Sequence, residues 1–237
     1  MVGAPDAIAA VVWPLLIPLL RHEAPRIDLG FRHIFPQSVI AELDAGAIDV
    51  ALSPFDASIP ARFVSRAMFD EEFVVAARRG HPFFAAPSLR RYCQELHLLV
   101  SISADTSGYV DGVLAEKGLS RRVAFSVPSF MLALAVLAET DLLGALPSTL
   151  VASQGARFGI SSVRAPFAGR RWEVGAVIPK VALADPAIAW LADTLARATS
   201  QVLDHHALGP RSRSPARARP KRAPAKHRRR AARRGRG

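Results

Sequence analysis

Residues 27–55 carry the clearest alternation of apolar and polar positions in this chain. The run IDLGFRHIF has the period of two that predicts a strand. QSVIAELDAG follows, with apolar residues three apart and Gly46 at its end, which predicts a short helix closed by a glycine. AIDVALSPF then predicts a second, buried strand. Strand, helix and strand in this order predict a βαβ unit, whose right-handed crossover makes the strands parallel.

A second series of the same kind lies downstream. HLLVSIS and RRVAFSV predict strands, and the intervening polar loop ADTSG opens a helix, YVDGVLAEKG. PSFMLALAVLAET then predicts a helix, LLGALP a strand and STLVASQ another helix. Two α/β units in one chain predict two lobes with a cleft between them, and open α/β sheets bind ligands beyond the carboxyl ends of their strands.

Two segments are expected to carry the chain between the lobes, near residues 72–79 and 171–179. The last helix is expected to begin with Asp185 as its N-cap and Pro186 at its first position. Lobe one is therefore predicted to contain residues 1–76 and 177–205, lobe two residues 77–176, and a tail residues 206–237.

The order of these segments resembles the effector-binding domain of LysR-type transcriptional regulators. In the first half the resemblance rests on PLLRHEAPRIDLGF, LDAGAIDVAL and EEFVVAARRGHPF, and in the second half on SGYVDGVLAEKGLSRRVAFSVPSF and AETDLLGALPSTLV. It covers roughly residues 3–199 and is greatest to the branch that senses aromatic compounds and flavonoids. The resemblance implies an α/β, two-lobed fold of the type II periplasmic-binding-protein class, with two doubly wound sheets joined by two crossing strands. It also implies a small aromatic or carboxylate effector and a homodimer formed through the effector domains.

The chain departs from the family pattern at its beginning. The family normally begins with a winged helix-turn-helix and a linker helix, and neither is recognised in these residues. Of the first strand only VGAP is found, so we expect that strand to be nearly absent and lobe one to be marginal. The departure is explained by a mis-assigned start or gene fragment, or by a free-standing sensor domain. The alternatives to a regulatory function are a stand-alone solute-binding protein of the same fold and a non-functional gene fragment.

Composition places the excess charge in the tail. Residues 201–237 hold 13 of the 31 lysines and arginines and one acidic residue, so the other 200 residues hold 18 basic and 19 acidic groups. The Arg-, Pro- and Ala-rich tail is expected to be disordered. Residues 209–237 are predicted either to bind nucleic-acid phosphates without regard to sequence or to be a passive tail.

Location in a reducing cytoplasm is expected, because the chain has a single cysteine, Cys93, which we interpret as a buried structural thiol. The apolar N-terminal run AIAAVVWPLLIPLL lacks a basic leader and is too short to cross a bilayer, so it is interpreted as the first helix of lobe one, with Pro14 and Pro18 near its start or kinking it. No partnership with a membrane is expected.

No motif of nucleophilic catalysis, metal binding or phosphate binding occurs in the sequence, so we expect neither an enzyme nor a cofactor. The loop after the HLLVSIS strand supplies the first candidate site: Ser103, Thr106 and Ser107 precede a helix N-terminus, where hydroxyl and backbone N–H groups suit a carboxylate or phenolate. The alternative is that Thr106 or Ser107 simply caps the helix, and Asp105 opposes an anion.

Aromatic residues supply the second candidate site. Phe35, Phe55 and Phe130 each follow a strand end, where they could stack on an aromatic effector or simply belong to the core. His33 is expected to end a strand facing the cleft, either as a ligand contact or as a core histidine. Asp6 and Pro147 complete the predicted effector-binding residues.

Overall fold

The computed structural model describes residues 1–54 and 59–207. Phe55 and residues 208–237, which include most of the predicted tail, lie outside them. In chain order the first lobe begins with β1 (Val2–Ala4), α1 (Asp6–Glu23), β2 (Phe31–His33), α2 (Val39–Asp44), β3 (Val50–Pro54) and β4 (Phe63–Glu71). The second lobe contains β5 (Phe73–Arg78), α3 (Leu89–Gln94), β6 (Leu96–Val100), α4 (Tyr109–Ala115), β7 (Arg122–Val127), α5 (Phe130–Ala138), β8 (Leu143–Pro147), α6 (Ser148–Gln154) and β9 (Ile160–Arg164). The chain returns to the first lobe with β10 (Trp172–Pro179) and α7 (Pro186–Ala207).

Each lobe is built on one five-stranded mixed sheet, in the orders β2-β1-β3-β10-β4 and β7-β6-β8-β5-β9. The strands of the predicted βαβ units are parallel: β1 pairs with β2 and β3, and β6 pairs with β7 and β8. The strands next to the crossings, β5 and β10, are antiparallel to their neighbours. The two-lobed α/β fold predicted from the sequence is confirmed.

The chain changes sheets earlier than the sequence predicted. Strand β4 ends at Glu71 in the first sheet and β5 begins at Phe73 in the second, so Glu72 alone joins them. The return runs through residues 165–171, and Trp172 already pairs with Glu71 in the first sheet. The boundaries predicted at 76/77 and 176/177 fall inside β5 and β10, because each of these strands lies wholly in one sheet and the crossing precedes it.

The expectation that the first strand is nearly absent is wrong. Val2 and Ala4 are fully buried, and β1 pairs on both sides, with Val2 opposite Phe31 in β2 and opposite Val50 in β3. Because β2 pairs only with this three-residue strand, it spans Phe31–His33 rather than the whole of the predicted run 27–35. Lobe one therefore has a paired central strand.

The predicted helix signals are found within α1, at the end of α2 and at the start of α7. Helix α1 contains both Pro14 and Pro18, and α7 begins at Pro186 with Asp185 Oδ1 accepting a hydrogen bond from the Ala187 N–H at 2.8 Å. Gly46 has the left-handed φ of 64° that closes α2. Among the described residues, no helix combines the length and apolar character that a membrane crossing requires.

One apolar cluster joins the two lobes. It contains Val12 and Leu16 of α1 together with Leu134 of α5 and Leu150 of α6, and all four side chains are buried. The Gln154 side-chain amide of α6 also donates to the Ala10 carbonyl of α1 at 3.0 Å. The lobes are therefore packed against each other behind the cleft.

Candidate functional site: the cleft between the lobes

A cavity of about 780 Å³ lies between the lobes. It is lined by residues that follow the carboxyl ends of parallel strands in both sheets, such as Pro5 after β1, Phe35 after β2, Ser101 after β6 and Pro128 after β7. Open α/β sheets place their ligand sites at this edge. The volume is within the range of sites for small organic molecules.

Aromatic side chains form much of the cavity wall. Phe73 lies with its ring centroid 4.8 Å from that of Trp172 and 6.0 Å from that of Tyr109, and Phe35 and Phe130 also line the cavity. The Tyr109 hydroxyl accepts a hydrogen bond of 2.8 Å from the Arg170 backbone N–H, which fixes the returning chain beside the cavity. Rings in offset and tilted arrangements of this kind can enclose a planar aromatic molecule.

Asp6 joins the two lobes at the cavity. It belongs to α1 of lobe one, and its Oδ2 accepts hydrogen bonds from the Ser129 hydroxyl at 2.7 Å and the Met131 N–H at 3.0 Å. Both donors lie at the start of α5 in lobe two, so Asp6 neutralises the positive end of that helix. This contact therefore holds the two lobes together at the edge of the cavity.

Glu71 likewise accepts hydrogen bonds from the start of a helix, in this case α6. Its carboxylate is only 5% exposed, and its Oε1 accepts from the Ser148 N–H at 2.8 Å, the Ser148 hydroxyl at 2.6 Å and the Thr149 N–H at 3.3 Å. The Thr149 hydroxyl donates to Oε2, and the Glu72 N–H donates to Oε1. Glu71 therefore satisfies the donors that the start of α6 would otherwise leave without a partner.

The predicted loop site is only partly at the cavity. Ser103 lines it, and the hydroxyls of Ser101 and Ser103 both donate to Asp105 Oδ2, at 2.8 and 3.1 Å. Thr106 and Ser107 are exposed and are not among the residues that line the cavity.

The alternative role of Thr106 and Ser107 as helix caps is wrong. Gly108 is the N-cap of α4, and its N–H donates to the Asp111 carboxylate at 2.8 Å. A carboxylate in the first turn of the helix therefore supplies the cap that the two hydroxyl residues were expected to supply.

The other predicted residues are divided between the cavity and the surface. Asp6, Phe35, Phe130 and Pro147 line the cavity. His33 is exposed on the edge strand β2, so it is not a core histidine, and it is not among the residues that line the cavity; its ring packs at 4.8 Å against Phe35. Strand β2 lies at the edge of the sheet, where the alternation of the sequence does not identify a buried face.

Sequence reasoning missed Glu71, Phe73, Tyr109 and Trp172 as cavity residues. One signal was present: Glu71 and Glu72 interrupt an apolar run between two strands, and a carboxylate at such a place needs a partner. The partners of Glu71 lie 77 and 78 residues further along the chain, where no local pattern could identify them.

A buried polar network lies within lobe two. The Arg121 guanidinium, with a side chain 1% exposed, donates two hydrogen bonds of 2.9 Å to Asp111 and one of 2.9 Å to the Tyr92 hydroxyl. Burial by itself would raise the pKa of Asp111, but the hydrogen bonds from Arg121 and Gly108 hold that pKa below its ordinary value. Burial raises the pKa of Tyr92 to about 12, so its hydroxyl stays protonated.

His97 and Cys93 adjoin this network. His97 is fully buried, and its Nε2 lies 2.7 Å from the Tyr92 carbonyl oxygen. Burial lowers the pKa of His97 to about 4, and the positive charge of Arg121 adds to that effect. Burial also raises the pKa of the half-buried Cys93 thiol, which disfavours the nucleophilic thiolate. Within residues 1–54 and 59–207, no cluster of three or more His, Cys, Asp or Glu side chains could hold a metal ion.

Comparison with known proteins identifies the class of regulators to which the chain is similar. The family model described as the LysR substrate binding domain matches residues 1–200. The transcriptional activator NahR of Pseudomonas putida is 26% identical over 72% of this chain and 54% of its own length. The regulator SyrM of Rhizobium etli is 28% identical over 82% of this chain and 57% of its own length. The chain thus spans little more than half the length of these two relatives.

A solved structure extends the similarity to three dimensions. The regulatory domain of MexT, a transcriptional activator in Pseudomonas aeruginosa, superposes with a TM-score of 0.73 at 28% identity, over 83% of this chain and 97% of that domain. The match to nearly the whole of an isolated regulatory domain agrees with the two-lobed fold described above.

Proposed function

Since the chain belongs to the LysR substrate binding domain family, we propose that it binds a small aromatic effector in the cavity between its lobes and thereby controls a transcriptional regulator. The aromatic wall formed by Phe35, Phe73, Tyr109, Phe130 and Trp172 is the observation that carries this proposal. Flat rings gain both apolar burial and ring–ring contact in such a site. The proposed function is binding rather than catalysis, because the carboxylates at the cavity accept hydrogen bonds from helix starts and from neighbouring hydroxyl groups.

The contacts behind and across the cavity suggest how binding is transmitted. Asp6 joins α1 to α5 across the lobes, while the apolar cluster containing Leu16 and Leu150 holds the lobes together behind it. An effector that touches Trp172 in one sheet and Phe73 in the other favours one lobe arrangement over another. The regulator's equilibrium then shifts by the difference in affinity for the two arrangements.

Replacing Trp172 by alanine is expected to weaken binding of a neutral aromatic probe about tenfold, because the variant loses one stacking face of the cavity. N-phenyl-1-naphthylamine is a suitable probe, since its fluorescence rises when it leaves water. The measurement is a fluorescence titration of the whole chain and of the variant.

Trp190→Ala is the matched control, because Trp190 lies on α7 and does not line the cavity. It should leave the probe affinity unchanged. Equal affinities for the parent chain and Trp172→Ala, with both folded by circular dichroism, would contradict binding in the cleft.

We also propose that two copies of the domain associate, because each lobe exposes an apolar surface at the edge of its sheet. In lobe one Phe31 is 45% and Ile17 40% exposed; in lobe two Phe125 is 54% and Leu132 45% exposed. If two chains pair in antiparallel orientation about a two-fold axis, lobe one of each chain faces lobe two of the other, and both apolar surfaces are covered. Light scattering should then give the mass of two chains, and Phe125→Glu should give the mass of one; a single-chain mass for the parent would contradict the proposal.

A further inference from the structure

We infer that the cleft is built for an aromatic effector that carries no negative charge. This inference rests on the proposed function, and it concerns the polar groups around the cavity rather than its rings. A carboxylate or phenolate ligand needs donors that the protein leaves open, such as N–H groups at helix starts or hydroxyl groups. Around this cleft, the donors at the starts of α5 and α6 and in the loop before α4 already serve the protein's own carboxylates.

Helix α5 offers the first such donors. Its start carries the Ser129 hydroxyl and the Met131 N–H, and Asp6 accepts from both. The Leu132 N–H in turn donates to the Ser129 hydroxyl oxygen at 3.1 Å. A ligand anion placed here would have to displace Asp6 and break the contact between the lobes.

Helix α6 offers the second set. The N–H groups of Ser148 and Thr149, and both hydroxyls, donate to Glu71. Glu71 is buried and comes from the end of β4, next to the crossing between the lobes. The position that an anionic group would take at this helix is therefore filled by a carboxylate that belongs to the fold.

The loop before α4 offers the third set. The hydroxyls of Ser101 and Ser103 donate to Asp105, and the N–H groups of Ser103 and Asp105 donate to the Ser101 hydroxyl oxygen at 3.3 and 3.1 Å. The Gly108 N–H donates to Asp111. The loop thus closes on its own acidic residues.

The charges of the side chains around the cavity also disfavour an anionic ligand. Of the described residues that line the cavity, Asp6, Glu71 and Asp105 are acidic and Arg170 is basic. A further negative charge near these three carboxylates is repelled, and it also loses its hydration on entering a mostly apolar cavity. An uncharged ring meets neither penalty.

Two dyes that differ by one charged group test the inference. N-phenyl-1-naphthylamine and 8-anilinonaphthalene-1-sulfonate share their rings, and only the second carries a sulfonate. We expect the neutral dye to bind the whole chain at least about tenfold more tightly than the sulfonate. For each dye, the loss of affinity caused by Trp172→Ala shows that the dye binds in the cleft.

Removing one of the negative charges at the cavity should reduce the difference in affinity between the two dyes. Asp105→Asn, which keeps the size of the exposed side chain, should lower the ratio of the two affinities several-fold, and Glu71→Gln is a second variant at a buried position. Asp193→Asn is the control: this carboxylate pairs with Arg66, has a side chain 70% exposed and does not line the cavity, so it should leave the ratio unchanged.

The outcomes separate this inference from the proposed function. Tighter binding of the sulfonate in the cleft, or an unchanged ratio in folded Asp105→Asn and Glu71→Gln, would overturn the inference alone. Binding of neither dye in a manner that depends on Trp172 would overturn the proposed aromatic site and the inference with it.

Discussion

Replacing Arg121 by methionine is expected to lower the free energy of unfolding by about 3 kcal/mol, which is the lower part of the range for breaking a buried ion pair. The Arg121 side chain is 1% exposed, and its removal leaves the Asp111 carboxylate, 22% exposed, without its cation. The Tyr92 hydroxyl loses a hydrogen bond in the same step. Urea unfolding followed by circular dichroism measures the change.

Arg62 is a matched control, because its guanidinium also donates two hydrogen bonds to a carboxylate, that of Asp44, but at the surface. The side chains of that pair are 56% and 44% exposed, so Arg62→Met should shift the unfolding midpoint far less. Replacing Asp111 together with Arg121 by apolar residues should recover part of the loss, because no unpaired charge is then left buried. Equal losses for Arg121→Met and Arg62→Met would show that burial does not govern the strength of these contacts.

Acidification from pH 6.5 to pH 4 is expected to cost the domain roughly 3 kcal/mol of stability through His97 alone. In the folded chain the pKa of His97 is lowered from 6.5 to about 4, first by burial and then by the charge of Arg121, while the hydrogen bond to the Tyr92 carbonyl opposes the shift. The unfolded chain therefore takes up a proton in this window that the folded chain does not. Stability is fully present above pH 6.5 and falls as the pH drops, by up to about 1.4 kcal/mol per pH unit.

The free energy of unfolding measured at several pH values tests this dependence. His97→Gln keeps a donor for the Tyr92 carbonyl but does not titrate, so the slope between pH 6.5 and 4 should become shallower. His33→Gln, which replaces a histidine exposed on β2, should keep the slope of the parent chain. An unaltered slope in His97→Gln would mean that His97 titrates at its ordinary value in the folded chain.

Local patterns predicted the elements of the fold because their causes are local. The buried strand predicted in AIDVALSPF became β3, Gly46 closed α2 with its left-handed backbone, and Asp185 capped α7. The order of these elements then restricted the topology to two lobes, because parallel strands need crossover connections. The position at which the chain changes sheets was not predictable in this way, because Glu72 alone separates the two strands and no glycine or proline marks the change.

The cavity was predicted only in part for a different reason. Phe35 and Phe130 follow strand ends, and this position along the chain was enough to find them. Glu71 acts on a helix more than 70 residues away, and Asp6 acts on one more than 120 residues away, so their roles follow only from the packing of the two lobes. Thr106 and Ser107 are residue types that often cap helices, but here the capping hydrogen bond is made by the carboxylate of Asp111 in the first turn of α4.

The position of a bound aromatic probe in the chain tests the central claim most directly. The sequence contains three tryptophans, Trp13, Trp172 and Trp190, of which only Trp172 lines the cavity. Incorporation of 5-fluorotryptophan gives one fluorine resonance for each, assigned by single Trp→Phe variants. During titration with N-phenyl-1-naphthylamine we expect a saturable shift of the Trp172 resonance that exceeds the shifts of the other two. Saturation of the probe with a shift at Trp13 or Trp190 and none at Trp172 would contradict an effector site between the lobes.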